Sequence, residues 1–188
     1  MLIVYAHPNK TGHCGYILKQ VERYLVAHKK FYDLLDLYAE NYDPVLKKEE
    51  HYTSGNYHLA TDTLKYQALL KKHSEFIVIY PTWWNAAPAI LKGWFDRVLT
   101  SKFAFEYING RPHGCLSGRG VVITTTGGPA IYSKLFGGSR SLKVVTQNTL
   151  KFCGYKIKGY IIYSATQLTD KHKIKIEKTV NRAMRDFS

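Results

Sequence analysis

The sequence predicts an α/β domain built on a doubly wound, five-stranded parallel sheet. Three observations predict it. Short continuous apolar runs alternate with helical patterns along the chain. Those runs end sharply at proline or glycine. The length, 188 residues, is that of one domain, taken as residues 1–188. A strand reads as an unbroken apolar run when helices cover both faces of its sheet, which is the condition of a parallel sheet. Two strand orders satisfy the pattern, 2-1-3-4-5 and a part-Rossmann arrangement.

The elements follow in order. Leu2 to Ala6 is apolar and stops at His7-Pro8-Asn9, so it predicts a buried strand and a turn. From His13 to His28, Ile17, Leu18, Val21, Leu25 and Val26 recur at helical steps and predict an amphipathic helix. Residues 31–38 predict a second strand, 39–57 a polar loop and 58–73 a second helix. Glu75 to Tyr80 is a third strand, broken at Pro81. Pro88 opens a helix to about Thr100, because the first helical position needs no N–H. Gly120 to Thr125 is a strand broken by Gly127-Gly128-Pro129. Then come a helix at 139–153, a strand at 157–163 and a helix at 169–186, whose Ile176, Val180, Ala183 and Phe187 share one stripe.

Composition excludes several classes. Hydrophobic residues are 45% and charged residues 22%, the balance of a globular chain. No apolar run approaches the roughly 18 residues of a membrane span, and the N-terminus lacks a signal-peptide pattern, so a cytoplasmic protein is expected. Three widely spaced cysteines, Cys14, Cys115 and Cys153, predict reduced thiols. His7 and His13 have no carboxylate or cysteine at metal-ligand spacing, and no metal is expected. The net charge is +13, from 27 Lys and Arg against 14 Asp and Glu. Such a surface attracts anions. The cations read as scattered pairs (Lys29-Lys30, Lys47-Lys48, Lys71-Lys72) plus the last helix, outside any nucleic-acid-binding module.

In open α/β sheets, ligands bind beyond the carboxyl ends of the strands. Three loops there are unusual. His7-Pro8-Asn9-Lys10-Thr11-Gly12-His13-Cys14 leads into a helix whose free N–H groups favour a phosphate. It has neither a Walker pattern nor G-x-G-x-x-G, so a single phosphate fits best. The plainer alternative is that Thr11 or Gly12 only caps the helix. Pro81-Thr82-Trp83-Trp84-Asn85-Ala86-Ala87-Pro88 sets two tryptophans between stiffening prolines, a pattern suited to a flat ligand. Thr124-Thr125-Thr126-Gly127-Gly128-Pro129, followed by Tyr132, offers N–H groups, close backbone approach and a hydroxyl.

These loops, together with Pro88-Ala89-Ile90-Leu91-Lys92-Gly93-Trp94-Phe95-Asp96-Arg97-Val98, Asp36-Leu37-Tyr38, Tyr42-Asp43-Pro44 and Phe152-Cys153-Gly154, resemble the flavodoxin-like NAD(P)H:quinone oxidoreductases. That family includes DT-diaphorase and the ancillary proteins of potassium-efflux systems. The resemblance runs from residue 1 to about 165. It implies the flavodoxin-like order 2-1-3-4-5, hydride transfer from NAD(P)H through a flavin to a quinone or similar acceptor, and a homodimer. By resemblance, His7, Thr11, His13 and Cys14 hold the flavin phosphate and ribityl chain. Pro81, Thr82, Trp83, Trp84 and Asn85 line the isoalloxazine, and Thr125, Thr126, Gly127 and Gly128 serve its polar edge. Tyr132 stands beside the flavin as the catalytic hydroxyl. Trp84, Tyr107 and Tyr132 form the substrate pocket, Tyr107 reaching across a dimer interface. Where long animal members carry a histidine after the Tyr132 position, this chain reads Phe136-Gly137-Gly138. It also lacks their extended C-terminal segment, which favours FMN, with FAD as the alternative. The positive charge tilts the donor toward NADPH. The other functions weighed are a regulatory ancillary subunit of a potassium-efflux transporter, a flavodoxin-like electron carrier and a basic nucleic-acid binder.

Overall fold

A computed structural model describes residues 1–131 and 139–187. Tyr132 therefore lies outside the described residues, as does the Phe136-Gly137-Gly138 stretch. The elements are β1 (Leu2–Tyr5), α1 (His13–Ala27), β2 (Asp33–Asp36), a 3₁₀ turn (Lys48–Glu50), α2 (Thr61–Lys72), β3 (Glu75–Pro81), α3 (Ala89–Val98), β4 (Phe105–Ile108), β5 (Arg111–Gly114), β6 (Arg119–Thr125) and β7 (Lys156–Ile162). Between β6 and β7 a short α-helix, Arg140–Lys143, runs straight into a π-helical segment, Val144–Lys151. A C-terminal helix, Asp170–Met184, closes the chain and ends in a 3₁₀ turn at Arg185–Phe187.

The main sheet runs β2-β1-β3-β6-β7, with every pair parallel. Because β4 and β5 form a separate antiparallel sheet, this is the expected 2-1-3-4-5 order of a flavodoxin-like fold. Side chains alternate between the faces of a strand, so each central strand feeds two cores. Leu2, Val4, Phe76, Val78 and Val122 pack under Leu91, Trp94 and Val98 of α3 and Tyr66 and Leu70 of α2. Ile3, Ile77, Ile79, Val121 and Ile123 pack under Ile17, Val21 and Leu25 of α1 and Ile176 and Val180 of the C-terminal helix. The expected stripe of Ile176, Val180, Ala183 and Phe187 is wholly buried, whereas Val26, expected on the apolar face of α1, is exposed.

Three other details depart from the sequence reading. The hairpin β4–β5 went unread, although Asn109 and Gly110 form its turn with φ of 51° and 75°, the conformation that an Asn-Gly pair adopts without strain. Pro88 sits one residue outside α3, where its carbonyl accepts from the Leu91 and Lys92 amides. The expected helix at 139–153 is α-helical for four residues only. Hydroxyls of Thr146 and Thr149 bond back to the carbonyls of Leu142 and Val144 at 2.7 and 3.0 Å, and such side-chain competition loosens regular helical bonding.

The stretch Lys92-Gly93-Trp94-Phe95-Asp96-Arg97 of α3 is built to hold a loop. A Cβ on Gly93 would stand 2.1 Å from the Pro44 carbonyl oxygen, so only glycine lets the 37–47 loop lie on the helix. One turn later the buried Arg97 guanidinium reaches Glu50 from Nε and Nη2 (3.0 and 3.1 Å), Asp62 (3.0 and 2.9 Å) and the Asp43 carbonyl (2.6 Å), under the ring of Tyr42. Thr63 donates its hydroxyl to Glu50 as well. Burial opposes a charge on Glu50, but the Arg97 and Thr63 bonds outweigh it and hold the carboxyl below its ordinary range.

Removing one partner of a buried ion pair strands the other. Arg97→Met should therefore destabilise the fold by about 3–5 kcal/mol in urea unfolding at neutral pH. Because the Glu50 pKa is depressed in the folded state, the clamp's contribution is complete above the ordinary carboxylate value of 4.5 and fades as the pH falls below it. A loss below about 1 kcal/mol would show that the clamp carries no such weight.

Candidate functional site

The ladder of the parallel sheet continues past its strand ends. The Ala6 amide donates to the Ile79 carbonyl at 3.0 Å, Thr82 to Thr125 at 2.7 Å, and Thr126 to Ile162 at 2.9 Å. The loops after β1, β3, β6 and β7 are thereby pinned side by side at the carboxyl edge. Between them lies a cleft of about 240 Å³. His7, Gly12, His13 and Cys14 line it from the first loop, and Pro81, Thr82 and Trp83 from the second. Thr125, Thr126 and Gly127 come from the third, and Ala165 and Thr166 from the fourth.

The first loop folds back over the start of α1. A Cβ on Gly15 would stand 1.7 Å from the Lys10 carbonyl oxygen, so this return requires glycine. Asn9 braces the loop, its Oδ1 accepting from the Thr11 amide (2.7 Å) and hydroxyl (2.8 Å). The Tyr5 hydroxyl donates to the Asn9 carbonyl, and Lys10 pairs with Asp36 at 2.6 Å. Thr11 is thus spent inside the loop and does not line the cleft. Gly12 occupies the N-cap, but no side chain caps α1, and its first turn carries no acid. The opening N–H groups of α1 are left to whatever enters the cleft, the arrangement that binds anions.

The second loop is a tight turn. Trp83 and Ala86 exchange backbone hydrogen bonds at 3.1 and 2.9 Å, with Trp84 and Asn85 at positive φ between them. This turn separates the two tryptophans. Trp83 faces the cleft, its ring 5.8 Å from that of His7, while Trp84 is 101% exposed at the tip. Trp84 and Asn85 do not line the cleft. Thr82 and Thr124 share a hydroxyl hydrogen bond at 2.9 Å, and Thr125 meets the Cys14 thiol at 3.5 Å. The Gly128 carbonyl accepts from the Ser164 amide at 3.1 Å and ties the third loop to the fourth, and Gly128 does not line the cleft.

The titratable groups here stay neutral. Burial lowers the pKa of His7. Burial, then the neighbouring His172, lowers that of His13, whose ring meets His172 edge-on at 4.9 Å. Burial pushes the Cys14 thiol up to about 12, far from a reactive thiolate. Tyr107, on β4, is 63% exposed and is not part of this cleft. The fourth loop, with Ala165 and Thr166, was missed from sequence. Its residues carry no unusual chemistry, and only the strand order brings them in.

The cleft suits a flat, phosphorylated ligand. One wall is the Trp83 ring, and one end is an uncapped helix start. The opposing edge offers hydroxyls and backbone. At Gly12 a Cβ would meet nothing within 4 Å, and at Gly127 only the Thr166 methyl at 3.9 Å, so both glycines face open space.

A family model described as a flavodoxin-like fold matches residues 1–186. An uncharacterized NAD(P)H oxidoreductase of Haemophilus influenzae is 30% identical over 172 residues, 90% of this chain and 85% of its own. The human ribosyldihydronicotinamide dehydrogenase [quinone] is 31% identical over 197 residues, 93% of this chain and 85% of its own. A crystal structure from Streptococcus mutans superposes with a TM-score of 0.86 at 33% identity and covers 98% of both chains.

The burial pattern sorts the thiols. Cys115 is exposed, whereas Cys14 and Cys153 are buried with pKa values pushed up to about 12 by burial. An aromatic disulfide reagent at neutral pH should label Cys115 at once and the other two only after denaturation. Rapid labelling of Cys14 in the native protein would show that the cleft floor is open.

Proposed function

On the premise that this chain belongs to the flavodoxin-like fold family, matched over residues 1–186, we propose that it is a flavin-dependent NAD(P)H:quinone oxidoreductase. The single observation that carries this reading is the convergence of four loops on one cleft with a flat wall, a polar edge and a free helix start. The names of the Haemophilus and human relatives support it.

When bound, the flavin supplies the hydride chemistry that side chains lack, carrying two electrons from NAD(P)H to the acceptor. The protein's part is to bind and orient. The opening amides of α1, at Gly12, His13 and Cys14, hold the phosphate. A single helix start matches a single phosphate, which supports FMN as the form held. Trp83 packs against the ring. Thr82, Thr125, Thr126 and the Gly127 backbone would offer hydrogen-bond partners to its polar edge. Tyr132 is the proposed catalytic hydroxyl beside the ring.

A homodimer completes the proposal. Tyr107 stands out from the β4–β5 hairpin and does not reach its own chain's cleft. It is therefore suited to a partner's cleft, as the substrate-pocket role requires.

The purified protein should be yellow, release FMN on denaturation, and bleach with NADH or NADPH in the absence of any other protein. A quinone should restore the colour. A colourless protein that takes up no flavin overturns the reading, and a yellow one reduced only by a partner reductase makes it an electron carrier. Gly127→Asp, which has room for its Cβ, should fold normally yet retain flavin at least tenfold more weakly, because a carboxylate enters a cleft that must take an anionic ligand against its acceptor edge; tenfold corresponds to about 1.4 kcal/mol. Unchanged flavin content in that variant would move the cofactor elsewhere.

A further inference from the structure

The positive charge that looks scattered along the chain is gathered in space. Residues 139–188 hold eleven of the 27 Lys and Arg but only three of the 14 acids. They build one side of the molecule: the edge strand β7, the π-helical segment on one face of it and the C-terminal helix on the other. All three acids are occupied. Asp170 pairs with Lys173 at 2.8 Å, Glu177 accepts from the Tyr16 hydroxyl at 2.6 Å, and Asp186 is taken by Lys158 and Tyr160.

The C-terminal helix arranges its cations in a row. Lys171, Lys175, Lys178 and Arg182 recur at helical steps and fall within an arc of about 60° that runs about 16 Å along the axis. Ile176, Val180 and Ala183 face the core on the opposite side. The four cations are exposed, and among the described residues none has a carboxylate within ion-pair distance. With Tyr160 and Ile174 they line an open groove of about 370 Å³. On β7 itself, Lys156 and Lys158 point into solvent and guard a bare sheet edge. That duty does not extend to the helix, which has no free edge to protect.

We propose that this side docks on an anionic lipid bilayer. Complementary charge is the main argument, since juxtamembrane basic clusters are drawn to acidic lipid surfaces. The composition of the side separates a bilayer from a nucleic acid. Eight of the eleven cations are lysines, point charges suited to a diffuse surface rather than forked phosphate recognition. The aromatic rings that could stack on bases lie under cations instead, Tyr163 beneath Lys175 at 5.6 Å and Tyr160 beneath Arg182 at 5.8 Å. The segments flanking β7 each expose one aliphatic side chain, Val144 and Ile174, for shallow insertion. Among the described residues no helix is long and apolar enough to cross a membrane, so the attachment is peripheral. The inference goes beyond the proposed reductase and does not depend on it.

The 188-residue chain, with or without flavin, is to be floated with vesicles of phosphatidylcholine alone or mixed with phosphatidylglycerol, at about 0.1 M salt. Binding should require the anionic lipid and fall as salt rises. The triple variant Lys171→Glu, Lys175→Glu, Lys178→Glu should lose about a hundredfold in partitioning, and the milder Lys→Gln triple at the same positions should lose less. Lys29→Glu, Lys48→Glu, Lys102→Glu changes net charge equally on other faces and should stay within about threefold of the parent. Equal binding to neutral vesicles, or equal loss in both Glu triples, overturns the proposal. So does a single-stranded RNA that binds this face more tightly than vesicles do. Flotation reads binding without turnover, so failure here leaves the reductase reading standing, and a colourless protein that still floats leaves this one standing.

Discussion

The register of four parallel strands at their carboxyl ends is the constraint on which the site depends. Four different loops can share one cleft of about 240 Å³ only because the backbone ladder runs one residue beyond the strands, through Ala6, Thr82 and Thr126. Strand pairing in a parallel sheet fixes both spacing and level. Loops that leave at the same level then meet, and bonds among their lining groups, such as Thr125 with the Cys14 thiol and the Ala165 amide with the Thr126 carbonyl, hold them together. The scaffold is stiff where the chemistry is small, and no nucleophile or charged catalytic pair is needed to define the place.

A second clamp acts at a distance. The Arg97 guanidinium makes five hydrogen bonds, to Glu50, Asp62 and the Asp43 carbonyl. It binds the long connection between β2 and α2 to α3, the helix that the tryptophan turn enters. The motif Lys92-Gly93-Trp94-Phe95-Asp96-Arg97, the most distinctive in the sequence, is thus an architectural device. Gly93 gives a seat to Pro44, Trp94 is core, and Arg97 fastens the loop. The specificity of a motif reports how tightly a position is constrained, which is separate from whether it touches a substrate.

The strand–helix alternation and all three predicted loops were legible because they rest on local patterns, unbroken apolar runs and breaks at proline and glycine, whereas the order 2-1-3-4-5 over a part-Rossmann one came from the family resemblance. Cleft lining was legible where a strand end dictates it, as for Thr125 or Pro81. It was not legible where a turn decides. Trp83 and Trp84 are identical in type and adjacent, and only the positive φ at Trp84 and Asn85 sends one inward and the other out. Thr11 reads as a ligand group until Asn9 is seen to consume its donors. Ala165 and Thr166 have no chemical signature and enter through topology. The collected charge of the β7 side lies within one stretch, residues 139–188, but the row on the C-terminal helix and its place beside β7 emerge only on folding.

The three tryptophans occupy three different surroundings: Trp94 at 2% exposure in the core, Trp83 against the cleft, and Trp84 wholly in solvent. Their emission therefore separates by colour and by access to a dissolved quencher. Light from the core indole tracks folding, that of the tip tracks whatever settles over the turn, and the middle one responds when the cleft fills. The sequence has placed its own reporters on the three events that matter most to it.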